Sequence, residues 1–101
     1  MPTLKMYVLV RADLSETYRI VQGSHALAQY ALDFPEQFKI WGNSTIVFLK
    51  VRNLLELKAW HAKVSESGKI HRSFHEPDLE GQLTAIACYD DGIIFKELKT
   101  A

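Results

Sequence analysis

The sequence predicts one small α/β domain built on a mixed β-sheet. Strand-like and helix-like stretches alternate in the order βαβαββ over 101 residues, without repeats or linkers. Long helical crossovers follow the first two predicted strands, which favours parallel pairing. A loop of roughly six residues joins the third and fourth predicted strands and favours an antiparallel pair. A chain of this length is the usual size of a single domain with one core.

Hydrophobic runs and capping residues define the predicted elements. Asp13 or Ser15 caps the first helix, which ends shortly before Pro35 because the residue before a proline avoids helical backbone. Asn53 caps the second helix and Gly68 ends it. Strands are predicted over residues 4–10, 45–51, 69–75 and 82–89. The first helix is predicted to end near residue 32. A helical turn is predicted over residues 35–42, and a last short element over residues 93–98.

Composition and charge are those of an ordinary globular protein. Hydrophobic residues make up 48% of the chain and charged residues 24%, and the zero net charge argues against an indiscriminate nucleic-acid binder. The charge is uneven, because residues 1–75 hold ten Lys and Arg against six Asp and Glu, whereas residues 76–101 hold two against six. A basic tract in the first part either binds phosphate on one side or is ordinary solvated surface: Lys50, Arg52, Lys58, Lys63, Lys69 and Arg72.

The single cysteine, Cys88, excludes an internal disulfide and favours a reducing compartment. No apolar run approaches the roughly 20 residues that span a bilayer, and no signal segment begins the sequence. We therefore expect a soluble, cytoplasmic protein that does not bind membranes.

The first predicted helix lacks charge from Ile20 to Leu32. We expect its apolar stripe to face the sheet, formed by Ile20, Leu27 and Ala31 with Val21, Ala28 and Leu32. The opposite side presents neutral polar side chains at helical spacing: Tyr18, Gln22, His25 and Gln29. A polar, uncharged face suits a binding cleft or a subunit interface, although such side chains also simply face solvent.

Three further features are candidate sites. His25 is either an acid, a base or a hydrogen-bond donor, or it is structural. His71 and His75 lie on one face of a predicted strand, but two histidines are a weak metal signal, and we predict no metal and no cofactor. Asp78 follows Pro77 in a turn that either holds its carboxylate outward or bonds it to the local backbone.

Three sequence blocks occur in the order found in a known family. They are VRADL at residues 10–14, QGSHA at 22–26 and FPEQFKIWGN at 34–43. They are similar to Val-Arg-x-Asp-Leu, Gln-x-Ser-His-Ala and Pro-Glu-x-x-x-x-Trp of the type II peptidyl-tRNA hydrolases, and the chain resembles that family over nearly its whole length. The resemblance implies a four-stranded mixed sheet with helices on both faces and, often, a homodimer. It also implies hydrolysis of the ester between a peptidyl or N-acyl-aminoacyl group and the tRNA 3′ end.

The resemblance implies catalytic roles for three residues and substrate contacts for four more. Asp78 would orient or activate water, while Gln22 and His25 would donate hydrogen bonds to the ester carbonyl or the terminal ribose. The substrate-binding candidates are Tyr18, Arg19, Gln29 and Gln82, with Arg19 and the basic tract taking phosphate.

The sequence also departs from the family pattern. Tyr18 stands where the family has a lysine, four residues before the motif glutamine. The family loop Asp-Ala-Gly-x-Thr-Gln is replaced by EPDLEGQ at residues 76–82, where no threonine matches and Glu76 competes with Asp78 for the aspartate position. Gln82 either matches the loop glutamine or belongs to the next strand. These departures favour an alternative, a non-catalytic module that binds RNA or a protein on the same fold. A third possibility is a structural dimer joined through the polar helix face.

Overall fold

The computed structural model describes residues 3–101, which form three α-helices and five β-strands. The strands are β1 (Lys5–Arg11), β2 (Ile46–Val51), β3 (His71–Glu76), β4 (Gln82–Asp90) and β5 (Lys99–Thr100). The helices are α1 (Glu16–Asp33), α2 (Pro35–Trp41) and α3 (Leu54–Glu66), and two short 3₁₀ turns cover Pro77–Leu79 and Ile93–Phe95.

The five strands form a single mixed sheet in the order β3-β4-β1-β2-β5. The central strand β1 runs parallel to β2 and antiparallel to β4, and β3 pairs antiparallel with β4. Both predicted pairing modes are therefore confirmed. The prediction of four strands is wrong, because β5 adds a fifth that pairs antiparallel with β2. With only two residues, β5 is too short to leave a periodic pattern in the sequence.

The two sides of the sheet bury separate hydrophobic clusters. Ala26 and Tyr30 of α1 pack in the same cluster as Val8 of β1. Leu57 of α3 packs in the other cluster with Leu9, the next residue of β1. Since successive strand side chains point to opposite faces, α1 and α3 cover opposite sides of the sheet.

Helix ends follow the capping residues of the sequence. The Ser15 hydroxyl accepts a hydrogen bond from the Tyr18 backbone N–H at 3.1 Å, so Ser15 rather than Asp13 caps α1. Asn53 caps α3 in the same way, with 3.0 Å between its Oδ1 and the backbone N of Glu56.

None of the helices within residues 3–101 is long and apolar enough to cross a membrane.

The buried side of α1 is not the predicted apolar stripe. Ile20 and Leu32 are 60% and 76% exposed, whereas Gln22 and Tyr30 are fully buried. Because no residue from Ile20 to Leu32 is charged, periodicity gives little basis for choosing the inner face of this stretch. The choice follows from close packing at Gly23, where an added Cβ would overlap the Phe48 ring on β2. Glycine lets the helix approach the sheet there, and this turns Gln22 inward.

Candidate functional site

A buried amide links the first helix to two strands. The Gln22 Nε2 donates to Glu76 Oε1 at 3.0 Å, and the Gln22 Oε1 accepts from the Thr84 hydroxyl at 2.6 Å. Gln22 and Thr84 are both fully buried. Because a buried polar group is costly unless it is paired, these two bonds allow a glutamine to occupy the interior.

Thr84 reaches Gln22 because β4 is irregular at that point. In the β3–β4 ladder Phe74 pairs with Ala85 and His75 pairs with Leu83, so Thr84 is an extra residue without a partner. This arrangement is a β-bulge, a device that re-aims a side chain. The Thr84 hydroxyl also lies 3.3 Å from the Phe74 carbonyl, at the place where the ladder is interrupted.

Glu76 is the carboxylate at the centre of this network. It is 9% exposed, and its Oε1 also accepts from the Tyr18 hydroxyl at 3.2 Å. The hydrogen bond from Gln22 lowers the pKa of Glu76 more than burial raises it, and the Asp78 backbone N–H and Tyr18 lower it further. Glu76 is therefore an ionised acceptor at neutral pH. Burial, and next the negative charge of Glu76, raise the pKa of Tyr18 and keep its hydroxyl protonated as a donor.

Two exposed side chains lie beside the buried network. The His25 ring stacks on Phe74 with 4.5 Å between ring centroids and an interplanar angle of 11°. Asp78 is exposed in the 3₁₀ turn that follows Glu76. The site therefore combines two solvent-exposed groups, the His25 ring and the Asp78 carboxylate, with the buried and ionised carboxylate of Glu76. The exposed carboxylate can bind water, and the histidine can donate a hydrogen bond.

A second polar group closes the carboxyl end of β1. Arg11 is 5% exposed, and its guanidinium donates to both carboxylate oxygens of Asp13 at 3.0 and 2.7 Å. It also donates to Gln82 Oε1 at 2.8 Å and to the Leu83 carbonyl at 3.1 Å. The hydrogen bond from Arg11 lowers the pKa of Asp13. Gln82 is the first residue of β4, so its side chain serves this contact rather than an open loop.

The remaining two candidates do not join the network. The Arg19 guanidinium donates to the Leu14 and Ala12 carbonyls at 2.8 and 2.6 Å, and so fixes the connection between β1 and α1. Gln29 bonds Asp33 at 2.9 Å near the far end of α1. The structure thus brings together Tyr18, Gln22, His25 and Asp78, and it places Arg19, Gln29 and Gln82 elsewhere.

Four cations of the basic tract lie toward opposite edges of the sheet. Arg72 on β3 binds Asp33 at 2.7 Å, and Lys69 just before β3 binds Asp90 at 2.7 Å. Lys50 and Arg52 lie at the end of β2, which β4 and β1 separate from β3. The six cations therefore do not form one phosphate-binding surface.

The predicted histidine pair also has local partners. The His71 ring lies 2.7 Å from the Lys69 carbonyl and 3.2 Å from the Ser65 hydroxyl, which occupies both of its nitrogens. Over the part of the chain that the structure describes, residues 3–101, no three His, Cys, Asp or Glu side chains are grouped so as to hold a metal ion.

Sequence reasoning missed Thr84, Arg11 and Phe74, and it treated Glu76 only as a competitor of Asp78. Thr84 and Arg11 each interrupt or end an apolar strand, and a polar residue inside such a run is the signal that could have marked them. Thr84 bonds Gln22 and Arg11 bonds Gln82, residues that are distant in the chain, so the pattern alone does not identify these contacts.

The fold and this network define a small α/β domain, and comparisons with known proteins place it no further than that. No protein-family model matches the chain, and no curated protein matches it. Among solved structures, it is similar to a protein of unknown function, Atu0240 from Agrobacterium tumefaciens, with a TM-score of 0.75 and 13% identity. The match covers 100% of this chain and 99% of the other. At this identity the likeness shows the fold alone.

Proposed function

We propose that the domain hydrolyses the ester between a peptidyl or N-acyl-aminoacyl group and the 3′ end of tRNA. One observation supports this most. Gln22 and His25, the two distinctive residues of the QGSHA block, lie on α1 beside the turn that bears Glu76 and Asp78. The segment at residues 76–82 departs from the loop of the family pattern. Its carboxylates Glu76 and Asp78 nevertheless lie next to the QGSHA block, which matches the family best.

Ester hydrolysis requires a positioned water, a proton acceptor and a donor for the carbonyl oxygen as it becomes negative. In our proposal Asp78, whose carboxylate is exposed beside the network, orients the water, accepts its proton and passes that proton to the departing ribose oxygen. His25 donates a hydrogen bond to the ester carbonyl oxygen as it becomes negative, since a histidine ring carries a donor N–H. Its ring face rests on Phe74, which leaves the ring edge free to meet substrate.

Gln22 and Glu76 take positioning roles in this proposal. Gln22 is fully buried and both ends of its amide are bonded, so it holds Glu76 rather than touching substrate. The lowered pKa of Glu76 makes it a weak base, and its charge is better suited to orienting Tyr18. This differs from the family-derived expectation that Gln22 donates directly to the ester.

The closed nature of the network favours a second candidate, a non-catalytic module that binds RNA or a protein. The network consists of hydrogen bonds among Tyr18, Gln22, Glu76 and Thr84. A structural role, joining α1 to β3 and β4, is sufficient to explain these bonds. This candidate predicts binding without turnover.

The deciding assay is release of N-acetyl-amino acid from N-acetyl-aminoacyl-tRNA by the purified protein. Wild type is compared with His25→Gln and Asp78→Asn, and each variant has a matched control. His75→Gln changes another exposed histidine, and Glu80→Gln changes another exposed carboxylate of the same turn. We expect His25→Gln and Asp78→Asn to lose about 100-fold or more in kcat/KM, the usual contribution of a positioned acid or base, while the controls stay within about twofold.

Turnover that survives in both His25→Gln and Asp78→Asn would show that the assigned residues do not carry the reaction. Absence of turnover in the wild type, with tRNA retained at low salt, would support the binding module instead. Gln22→Met tests positioning, because it should lower kcat together with thermal stability.

A further inference from the structure

Two lysines face each other on the edge of the sheet beside β5. Lys50 of β2 and Lys99 of β5 are directly paired in the antiparallel ladder, so their side chains lie on the same face. Both are exposed, and neither forms an ion pair with a carboxylate within residues 3–101. Like charges directly opposite each other destabilise a strand pair. An anion between them would reverse that effect.

A third cation lies next to the pair. Arg52, two residues after Lys50, has an 87% exposed side chain and shares a groove of about 320 Å³ with both lysines. Two carboxylates also line this groove: Glu56 accepts a hydrogen bond from Arg52 at 2.9 Å, and Glu97 lies at the rim without a cationic partner in the described chain. Because Glu56 bonds only the Arg52 Nε, the terminal nitrogens of that guanidinium have no bond within residues 3–101.

The groove lies close to the candidate active site. Ala12, the residue after β1, lines the groove, while Arg11, the last residue of β1, bonds Gln82 on the other side. Gln82 pairs with Glu76 in the β3–β4 ladder, so the groove and the network around Glu76 flank the carboxyl end of β1.

We propose that Lys50, Lys99 and Arg52 bind phosphates of an RNA backbone and so hold the tRNA whose ester lies at His25. The identification of the RNA as tRNA rests on the proposed function. The chemistry favours a chain of phosphates over a free phosphate ion. The three cations are exposed in an open groove that they share with two carboxylates, so each contact is weak and affinity requires several phosphates in a row.

The test measures binding of a short RNA hairpin that ends in single-stranded CCA, with inorganic phosphate as a competitor. The variant Lys50→Gln, Lys99→Gln is compared with Lys5→Gln, Lys39→Gln, which removes the same charge from the start of β1 and from α2. Each lost phosphate contact lowers the salt slope by about 0.7 to 0.9. The loss of affinity between about 50 and 200 mM salt should therefore be about 7- to 12-fold smaller for the edge variant than for wild type. The control variant should keep the wild-type slope.

A charge reversal separates binding from stability. Lys99→Glu places opposite charges across the ladder, so it should raise Tm by about 1 to 5 °C while weakening RNA binding. A purely structural role would not move the two readouts in opposite directions.

Three results would overturn the proposal. One is an equal change of slope in both double variants, which would mean diffuse electrostatic attraction. The second is unchanged RNA binding with increased aggregation of the edge variant, which would mean that the lysines only protect a sheet edge. The third is displacement of the RNA by millimolar phosphate, which would indicate a free phosphate site. Hydrolysis of N-acetyl-aminoacyl-tRNA is measured separately, so loss of turnover with intact, lysine-dependent RNA binding would count against the proposed function alone.

Discussion

Replacing Thr84 with valine tests whether the buried network stabilises the fold. Valine has nearly the same shape as threonine, so packing is kept and only the hydroxyl is lost. The 2.6 Å bond from Thr84 to Gln22 disappears, and Gln22 Oε1 is left buried without a donor. Leaving a buried acceptor unpaired costs about 1–3 kcal/mol. For a domain of this size, about 2 kcal/mol corresponds to a fall in Tm of roughly 8–16 °C.

The measurement is urea denaturation of Thr84→Val, Gln22→Met and the double variant. If the hydroxyl acts through Gln22, the sum of the two single losses exceeds the double loss by about 1–2 kcal/mol, because the double variant leaves neither end of the Thr84–Gln22 bond unpaired. The Gln22–Glu76 bond is lost equally in Gln22→Met and in the double variant, so it cancels in this comparison. Thr17→Val is the control, since Thr17 is exposed on α1 and should change stability by no more than about 0.5 kcal/mol. Additive single effects, or a Thr84→Val protein as stable as wild type, would refute the reasoning.

Three other groups have testable behaviour. Burial raises the pKa of the Cys88 thiol to about 12, so it should resist alkylation at pH 8 in the native protein and react only in denaturant. Burial, and next the charge of His71, lower the pKa of His61 below its ordinary 6.5. At pH values near 6.5 and just below, His61 therefore binds more protons in the unfolded chain than in the folded one, and the free energy of unfolding should decrease as pH falls through this range. In urea melts at a series of pH values, His61→Gln should lose less stability over the same range than wild type. The Tyr30 hydroxyl is buried with no hydrogen-bond partner in residues 3–101, so Tyr30→Phe should raise the free energy of unfolding by about 1 kcal/mol, and an unchanged or lower stability would contradict this reasoning.

Much of the fold could be predicted because its signals are local. Ser15, Asn53 and Gly68 mark helix ends, and each marks them in the structure, Gly68 with a φ of +69°. The apolar runs of β1 and β2 likewise predict strands. The inner face of α1 is different, because Gln22 is buried through bonds to residues more than 50 positions away, and no local pattern contains that information.

The candidate site was predicted in part for the same reason. Tyr18, Gln22 and His25 are close in sequence and share one region of a helix, so spacing could group them. Thr84 could not be added, because its position depends on a bulge whose location is set by the pairing of β3 with β4. Arg19 lies outside the network, and sequence spacing could not show this, because its bonds go to backbone carbonyls that are in place only once the connection before α1 has formed.

The central place of β1 has a consequence for the order of folding. Lys5 at the start of β1 pairs with Asp90 at the end of β4, so the strand that leads the sequence gains one of its two neighbours only when the last full strand arrives. Contacts of such long range slow folding because a large loop must close first. The β1–α1–β2 unit can pair earlier, with β1 exposed along one edge. Until β4 docks, that bare edge is the part of the growing chain most open to pairing with another molecule.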